Sequence, residues 1–217
     1  WLSKEQFPTE DFLPKKLLKQ RDRGLEIVIC EGDLRSYKKF YYTVRDYPKS
    51  DFIIIDDDIF YPSDTIETLI NFNKEYPNTV CFNRGHQLNT RDDKIINYKS
   101  WYPLENGTEP RYDIMATGVG GVYYPANVLN EHVLNDEIFL NTCKLADDIW
   151  LYAMTLLNDN KLVKTNNNKI FLPVINKNNI TLTSVNVGED LNDVQINNVR
   201  DYFIKEYNID PFRKVFE

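Results

Sequence analysis

The chain has 217 residues, 42% of them hydrophobic, enough for one large domain with its own core, and no Pro/Gly/Ser-rich linker divides it. A net charge of −7 argues against nucleic acid or an anionic membrane surface as partner, and neither a bilayer-spanning apolar stretch nor a signal peptide is recognisable. Cys30, Cys81 and Cys143 are too few and too scattered for a disulfide framework or a zinc site; they read as buried free thiols, as in a reducing cytoplasm.

Trp1 and Leu2 read as the end of a strand. A basic helical stretch around Leu17 to Arg23 stops at Gly24 and leads into a strand over Leu25 to Cys30. "SYKKFYYTVRDYP" predicts a helix ending at Pro48, "DFIII" a strand, and "PSDTIETLINFNKEYP" a helix capped by Ser63 or Asp64. A further strand follows at Thr79 to Asn83. Strand alternating with helix predicts an α/β domain: right-handed crossovers, a mostly parallel central sheet, and helices on its faces.

Residues 84 to 115 are polar and aromatic without a clear period, predicting loops and a short hairpin. "GVGGVYYP" brings a strand with glycines at its entry, and "KIFLPV" a further short one. Asp147 to Leu157 predicts a helix, apolar at Ile149, Trp150, Ala153, Leu156 and Leu157, with both aspartates in its first turn. The "NNNKI…INKNNIT" region is polar and expected to be mobile, and "DVQINNVRDYFIKEY" is again helical. The triplets "NGT" at Asn106 and "NIT" at Asn179 match the glycosylation sequon, but an Asn-rich chain produces such matches by chance.

The stretch that asks for a chemical explanation is "IIIDDDIFYPSD". Asp56, Asp57 and Asp58 repel one another at the end of a run suited to a buried strand. In an open α/β sheet, ligands bind at the carboxyl ends of the parallel strands. Carboxylates this closely spaced suit a hard divalent cation, Mg²⁺ or Mn²⁺, and such a cation can neutralise a diphosphate leaving group. The competing reading is a solvated acidic turn before the next helix, which Asp64 fits best.

"FIIIDDDIFYP" resembles the apolar strand and DXD motif of GT-A glycosyltransferases. "MATGVGGVYYP" and the later "LADDIWL" are similar to the acceptor-side glycine-rich strand and the paired-acid helix start of those enzymes. The order "WLSKEQFP…LPKKL…RGLEI…EGDLRSYKKF…YP" resembles a bacterial, family-2-like branch serving cell-surface polysaccharides, and exostosin-like transferases share the motif order. The resemblance covers most of the chain. It implies a single GT-A-like catalytic domain over residues 1–217, a nucleotide-sugar donor such as a UDP-sugar, and a saccharide or lipid-linked saccharide acceptor. It also implies Mn²⁺ or Mg²⁺ as cofactor and a cytoplasmic location, peripheral at the inner face of the membrane.

Carried over by position, Asp56 sits near the ribose or uracil, and Asp58, with Asp56 sharing the site, ligates the metal that bridges the two phosphates; Asp57 serves either role. Asp148 corresponds to the base of inverting members, and Asp147 contacts the acceptor. A helix N-terminus favours ionised carboxylates, and an ionised carboxylate can take a hydroxyl proton. Simple capping of the helix by Asp147, with Asp148 filling the first turn, explains the same pair. Arg35 and Lys38 border the donor nucleotide in the resembling enzymes, against ordinary solvated charges. Arg84 and His86, after a strand end, are candidates for the donor sugar or phosphates, against surface packing. Tyr98, Trp101 and Tyr102 are candidates for stacking on acceptor sugars, with core or surface packing the default among 14 tyrosines.

Two departures from the family pattern stand out. Its members open with a strand cradling the base, and this chain is expected to lack that strand. Many also bring a late histidine to the metal, whereas His86 and His132 are the only histidines here, leaving aspartates, phosphates and water. The alternative to an enzyme is a catalytically inactive GT-A-like module that binds sugar or nucleotide.

Overall fold

The structure, a computed structural model, describes residues 1–167, 169–174 and 190–217. The expectation of a mobile polar stretch and the Asn179 sequon fall largely outside the described residues. The fold is mixed α/β, and no described helix is long and apolar enough to cross a membrane.

Strand β1 (Leu2–Ser3) pairs in parallel with β2 (Ile29–Cys30). The intervening basic stretch is helical at α1 (Lys15–Leu18) and 3-10 over Lys19–Arg23, ending at Gly24 in the left-handed region, as the stop signal implied. The strand expected from Leu25 shrinks to β2, because β1 offers two residues to pair with and Leu25 and Val28 remain exposed.

The central sheet has four strands: β3 (Phe52–Ile54), β5 (Val80–Phe82), β11 (Val122–Tyr124) and β12 (Leu162–Lys164), in the spatial order β12-β5-β11-β3. It is not mostly parallel. Only β12 and β5 pair in parallel, while β11 runs antiparallel to both β5 and β3. A parallel return needs a crossover of a dozen or more residues, usually helical. Between β5 and β11 the chain instead builds β6 (Gly85–Gln87), β9 (Tyr102–Pro103) and β10 (Ile114–Ala116), which form an antiparallel three-stranded sheet, and the hairpin of β7 (Thr90–Arg91) with β8 (Lys94–Ile95). It then comes back through a 3-10 turn at Gly118–Gly120. The carboxyl ends of β3, β5 and β12 and the start of β11 therefore lie along one edge.

Alternation along the strands divides the sheet between two cores. Val80, Phe82, Val122, Tyr124 and Leu162 join the large core with α4 (Asp136–Thr142), α5 (Asp147–Leu157) and α6 (Leu191–Tyr207). Cys81, Tyr123 and Val163 face Leu69 of α3 (Thr65–Glu75) on the other side. Helices on both faces were expected. Helix α5 occupies the expected Asp147 to Leu157; Trp150 is fully buried and its indole N–H donates to Val133 O at 3.0 Å. The expected helix before Pro48 is a 3-10 turn over Arg35–Lys39 followed by α2 (Tyr41–Asp46). The three cysteines are free and buried.

Candidate functional site

Beyond β3 the chain turns through Asp56, Asp57 and Asp58 into β4 (Ile59–Phe60), which pairs with β13 (Leu172–Pro173). Asp57 and Asp58 are exposed and Asp56 is partly buried. The turn is braced from within: the Asp56 backbone N–H donates to Tyr61 Oη at 2.9 Å, and Val174 N–H donates to Asp58 O at 2.7 Å.

Lys39 reaches this turn because its neighbours anchor it. Tyr37 and Phe40 are fully buried, and Tyr37 stacks on Phe139 of α4 with 4.0 Å between centroids. Held between them, Lys39 forms an ion pair with Asp56 and lies 3.8 Å from Asp147 Oδ2. The other member of the α5 pair, Asp148, accepts the backbone N–H of Gly118 at 3.1 Å. A Cβ built on Gly118 would lie 3.4 Å from Asp148 Oδ1, 3.5 Å from Lys39 Nζ and 3.6 Å from Asp56 Oδ1. Three segments distant in sequence thus meet over one glycine: the turn after β3, the first turn of α5, and the basic stretch before α2.

Neither acid caps its own helix; Ala146 holds the N-cap position and no side chain bonds there. Asp147 is buried, and its Oδ2, like Asp56 Oδ1, has the Lys39 ion pair but no hydrogen-bond partner among the described residues. Asp148 departs from the expectation of an ionised helix-start acid. Burial first, then the charge of Asp147, push its carboxyl up to about 7, against the opposing pull of Lys39 and the Gly118 N–H. Burial alone would lower the Lys39 ammonium, yet Asp147, Asp148 and Asp56 together hold it above its usual range and protonated.

The remaining candidates are distributed around this cluster. Arg84 is exposed beyond β5, with Nη1 donating to Thr117 Oγ1 at 3.1 Å, one residue before Gly118. Gly120 packs against it so closely that a Cβ there would lie 2.6 Å from both Arg84 Cβ and Arg84 N. His86 lies partly buried beside Tyr98, its Nδ1 without a partner among the described residues, and burial with the nearby Arg84 charge lowers its pKa. Tyr98 packs against Trp101 at 4.6 Å between centroids, and burial first, then the charge of Asp148, push its hydroxyl up to about 12. Trp101 is a core residue whose indole N–H donates to Ile96 O, whereas Tyr102 is exposed on β9. Lys38 pairs with Asp33 rather than with the acid cluster, and Arg35 is exposed with its N–H on Asp33 Oδ1 at 2.9 Å. The basic residue that enters the cluster is Lys39, distinguishable in sequence only by the buried aromatics that flank it.

The donor chemistry at the turn fits a hard cation: the carboxylate oxygens of Asp57 and Asp58 are exposed there. Among the described residues no group of three or more His, Cys, Asp or Glu forms a complete metal cage. Mg²⁺-type sites use one or two carboxylates, completed by water and substrate phosphates. Asp58 presents such a carboxylate, while Asp56 is shared with Lys39.

Two clefts flank the sheet edge and its far side. A cleft of about 600 Å³, lined by Arg91, Arg111, Lys161 and Lys214 among others, contains none of the clustered acids. A second, of about 400 Å³, is lined by Asn83, Arg84, Lys164, Asn167, Lys169 and Phe171, and Arg84 links it to the Gly118 turn. No protein-family model matches the chain, and no curated protein matches it, so the residues themselves carry the functional reading.

Proposed function

We propose that this chain is a metal-dependent glycosyltransferase of the GT-A kind, moving a sugar from a nucleotide-diphosphate donor to a saccharide acceptor. The observation that carries the reading is the meeting of Asp56 with Asp147 and Asp148 around Lys39 and Gly118. A solvated turn and a capped helix have no reason to converge on one another. Two acidic motifs serving one reaction do.

In this reading Asp58, with Asp56 beside it, holds Mn²⁺ or Mg²⁺. Bound there, the cation would neutralise the diphosphate and improve it as a leaving group. Asp148 is the general base: a carboxyl near 7 is half ionised at neutral pH, close to the optimum for taking a proton from an acceptor hydroxyl. The Gly118 N–H orients the receiving carboxylate, and Lys39 offsets the mutual repulsion of Asp56 and Asp147. Tyr98 and Tyr102 supply faces for the acceptor sugar. The resemblance further suggests surface-polysaccharide synthesis at the cytoplasmic face of a membrane.

The test is binding of UDP with and without Mn²⁺, followed by release of UDP from a panel of UDP-sugars. Metal-dependent binding with turnover supports the enzyme. Metal-dependent binding without turnover on any sugar would reduce the chain to a nucleotide-binding module, and no binding would remove the reading altogether.

A further inference from the structure

The smaller cleft, of about 400 Å³, lies where β5 and β12 end, the ligand edge of the sheet. Its walls are built rather than incidental. Asn83 is buried, donating from Nδ2 to Gly120 O at 3.0 Å and accepting from Thr165 Oγ1 at 2.6 Å. Gly107 packs so tightly on the facing segment that a Cβ would lie 2.0 Å from Asn166 Oδ1, and Thr108 bonds both the N–H and the C=O of Lys164 at 3.1 Å. The "NGT" triplet at Asn106 therefore has a structural use as one wall.

Its chemistry is one-sided. Among the described residues Arg84, Lys164 and Lys169 line the cleft with one carboxylate, Glu105, on a chain whose net charge is −7. Arg84 spends one donor on Thr117, from a guanidinium that carries five. Lys164 is almost fully buried, its ammonium held by Thr165 O at 3.0 Å and Glu105 O at 3.5 Å, which leaves Arg84 and Lys169 to face a ligand; Lys169 makes an exposed ion pair with Asp64, of a kind worth little in water. The Nδ2 of Asn167 is buried and has no acceptor among the described residues. An orphan N–H donor costs free energy until an acceptor arrives. Phe171 adds an apolar face, itself packed edge-on against Tyr61 at 5.7 Å.

We infer that this cleft is a subsite for an anionic saccharide, a sugar carrying a phosphate or a carboxylate, on the acceptor side of the site. The assignment to the acceptor rests on the glycosyltransferase reading. The sheet order supports it. β12 and β5 lie on the far side of β11 from β3 and the Asp56 turn, away from the Arg35–Lys39 segment, and Arg84 joins the cleft to the turn that orients Asp148. An acidic acceptor anchored there would present its hydroxyl toward Asp148.

The experiment titrates the full chain with glucose 1-phosphate, glucuronate and glucose, with no metal or nucleotide, following side-chain amide resonances. Phosphate- or carboxylate-bearing sugar should bind and shift the Asn167 amide, the stronger of the two naming the anion, while glucose should not. Asn167→Asp and Lys169→Glu should each weaken binding by about tenfold or more, the loss of a hydrogen bond or contact to a charged group. Saturating UDP with Mn²⁺ should leave the affinity unchanged. Equal, weak binding of all three sugars, or binding indifferent to both substitutions, would overturn the subsite. Competition by UDP–Mn²⁺ would assign the cleft to the donor diphosphate and overturn the acceptor role. Anion binding in a chain that never binds UDP–Mn²⁺ would keep the subsite and sink the glycosyltransferase reading with its acceptor.

Discussion

The two acidic motifs use the same side chain in opposite surroundings. Asp57 and Asp58 stand exposed and hydrated in a turn, whereas Asp147 and Asp148 open a helix that is buried nearly all round. A helix apolar on every face must sit in the core, and α5 draws its first-turn acids in with it. Exposed carboxylates can take up a hard cation that keeps several of its own waters. Buried ones need partners from the protein, and these are supplied by Lys39 and by the Gly118 N–H. Burial thus separates the exposed Asp57 and Asp58 from the buried Asp147, with Asp56 and Asp148 of intermediate exposure between them.

The largest expected effect falls on the buried side. Asp148→Asn should lower turnover by about 10²–10⁴-fold, the usual contribution of a general base, with nucleotide affinity nearly intact. In the unsubstituted protein kcat/KM should rise with pH through about 7 as Asp148 ionises, and the substitution should abolish that limb. Its stability should change as well. The folded state binds this proton more tightly than the unfolded chain does, so stability should fall as pH rises from the ordinary carboxylate range to about 7 and then level off. Urea midpoints across that range would show the slope, and Asp148→Asn should flatten it. A Michaelis–Menten series in which Asp148→Asn matches the parent would erase the distinction between the motifs.

Next in size is Lys39→Met, which strands Asp56 and Asp147 without their cation and should cost about 3 kcal/mol in urea denaturation. Adding Asp147→Asn should return part of that loss, a coupling that a double-mutant cycle measures directly. Gly120→Ala should cost about 1–3 kcal/mol, since its Cβ would press on Arg84 backbone rather than on a flexible side-chain end. The smallest effect on the fold belongs to the exposed motif: Asp58→Asn should stay within about 0.5 kcal/mol of the parent while Mn²⁺-dependent UDP binding is lost. A large stability loss at Asp58, seen as a shifted urea midpoint, would mean that this carboxylate is structural.

What was legible in the sequence is what depends on local pattern. Helix α5 announces itself by an apolar run behind two acids, and α3 and α6 by their length; Gly24 stops its helix as glycine should. The acid turn is legible because three aspartates directly behind a core strand run against strand propensity. The mixed sheet was not, because the direction of β11 is decided by the absence of a crossover helix between β5 and β11, a long-range property. Strand β12 went unread: Leu162–Lys164 is too short for periodicity to register, and only its pairing with β5 makes it a strand. Local pattern does not single out Lys39 from Arg35 and Lys38, since choosing among neighbouring basic residues requires knowing which way the buried rings of Tyr37 and Phe40 point.

The antiparallel entry of β11 has a consequence for how the site tolerates change. Val122 sits opposite Ile54 on one side and Phe82 on the other. The ladder therefore sets, like the teeth of a gear, how far the Gly118 turn protrudes beyond Asp56 and Arg84. A slip of one residue would turn Tyr124 out of the large core and Tyr123 into it, and the Gly118 N–H would leave Asp148. The spacing of Asp56, Arg84 and Gly118 is thus written into backbone pairing, so a packing defect at Tyr124, at the far end of β11, should shift the Gly118 turn against Asp148.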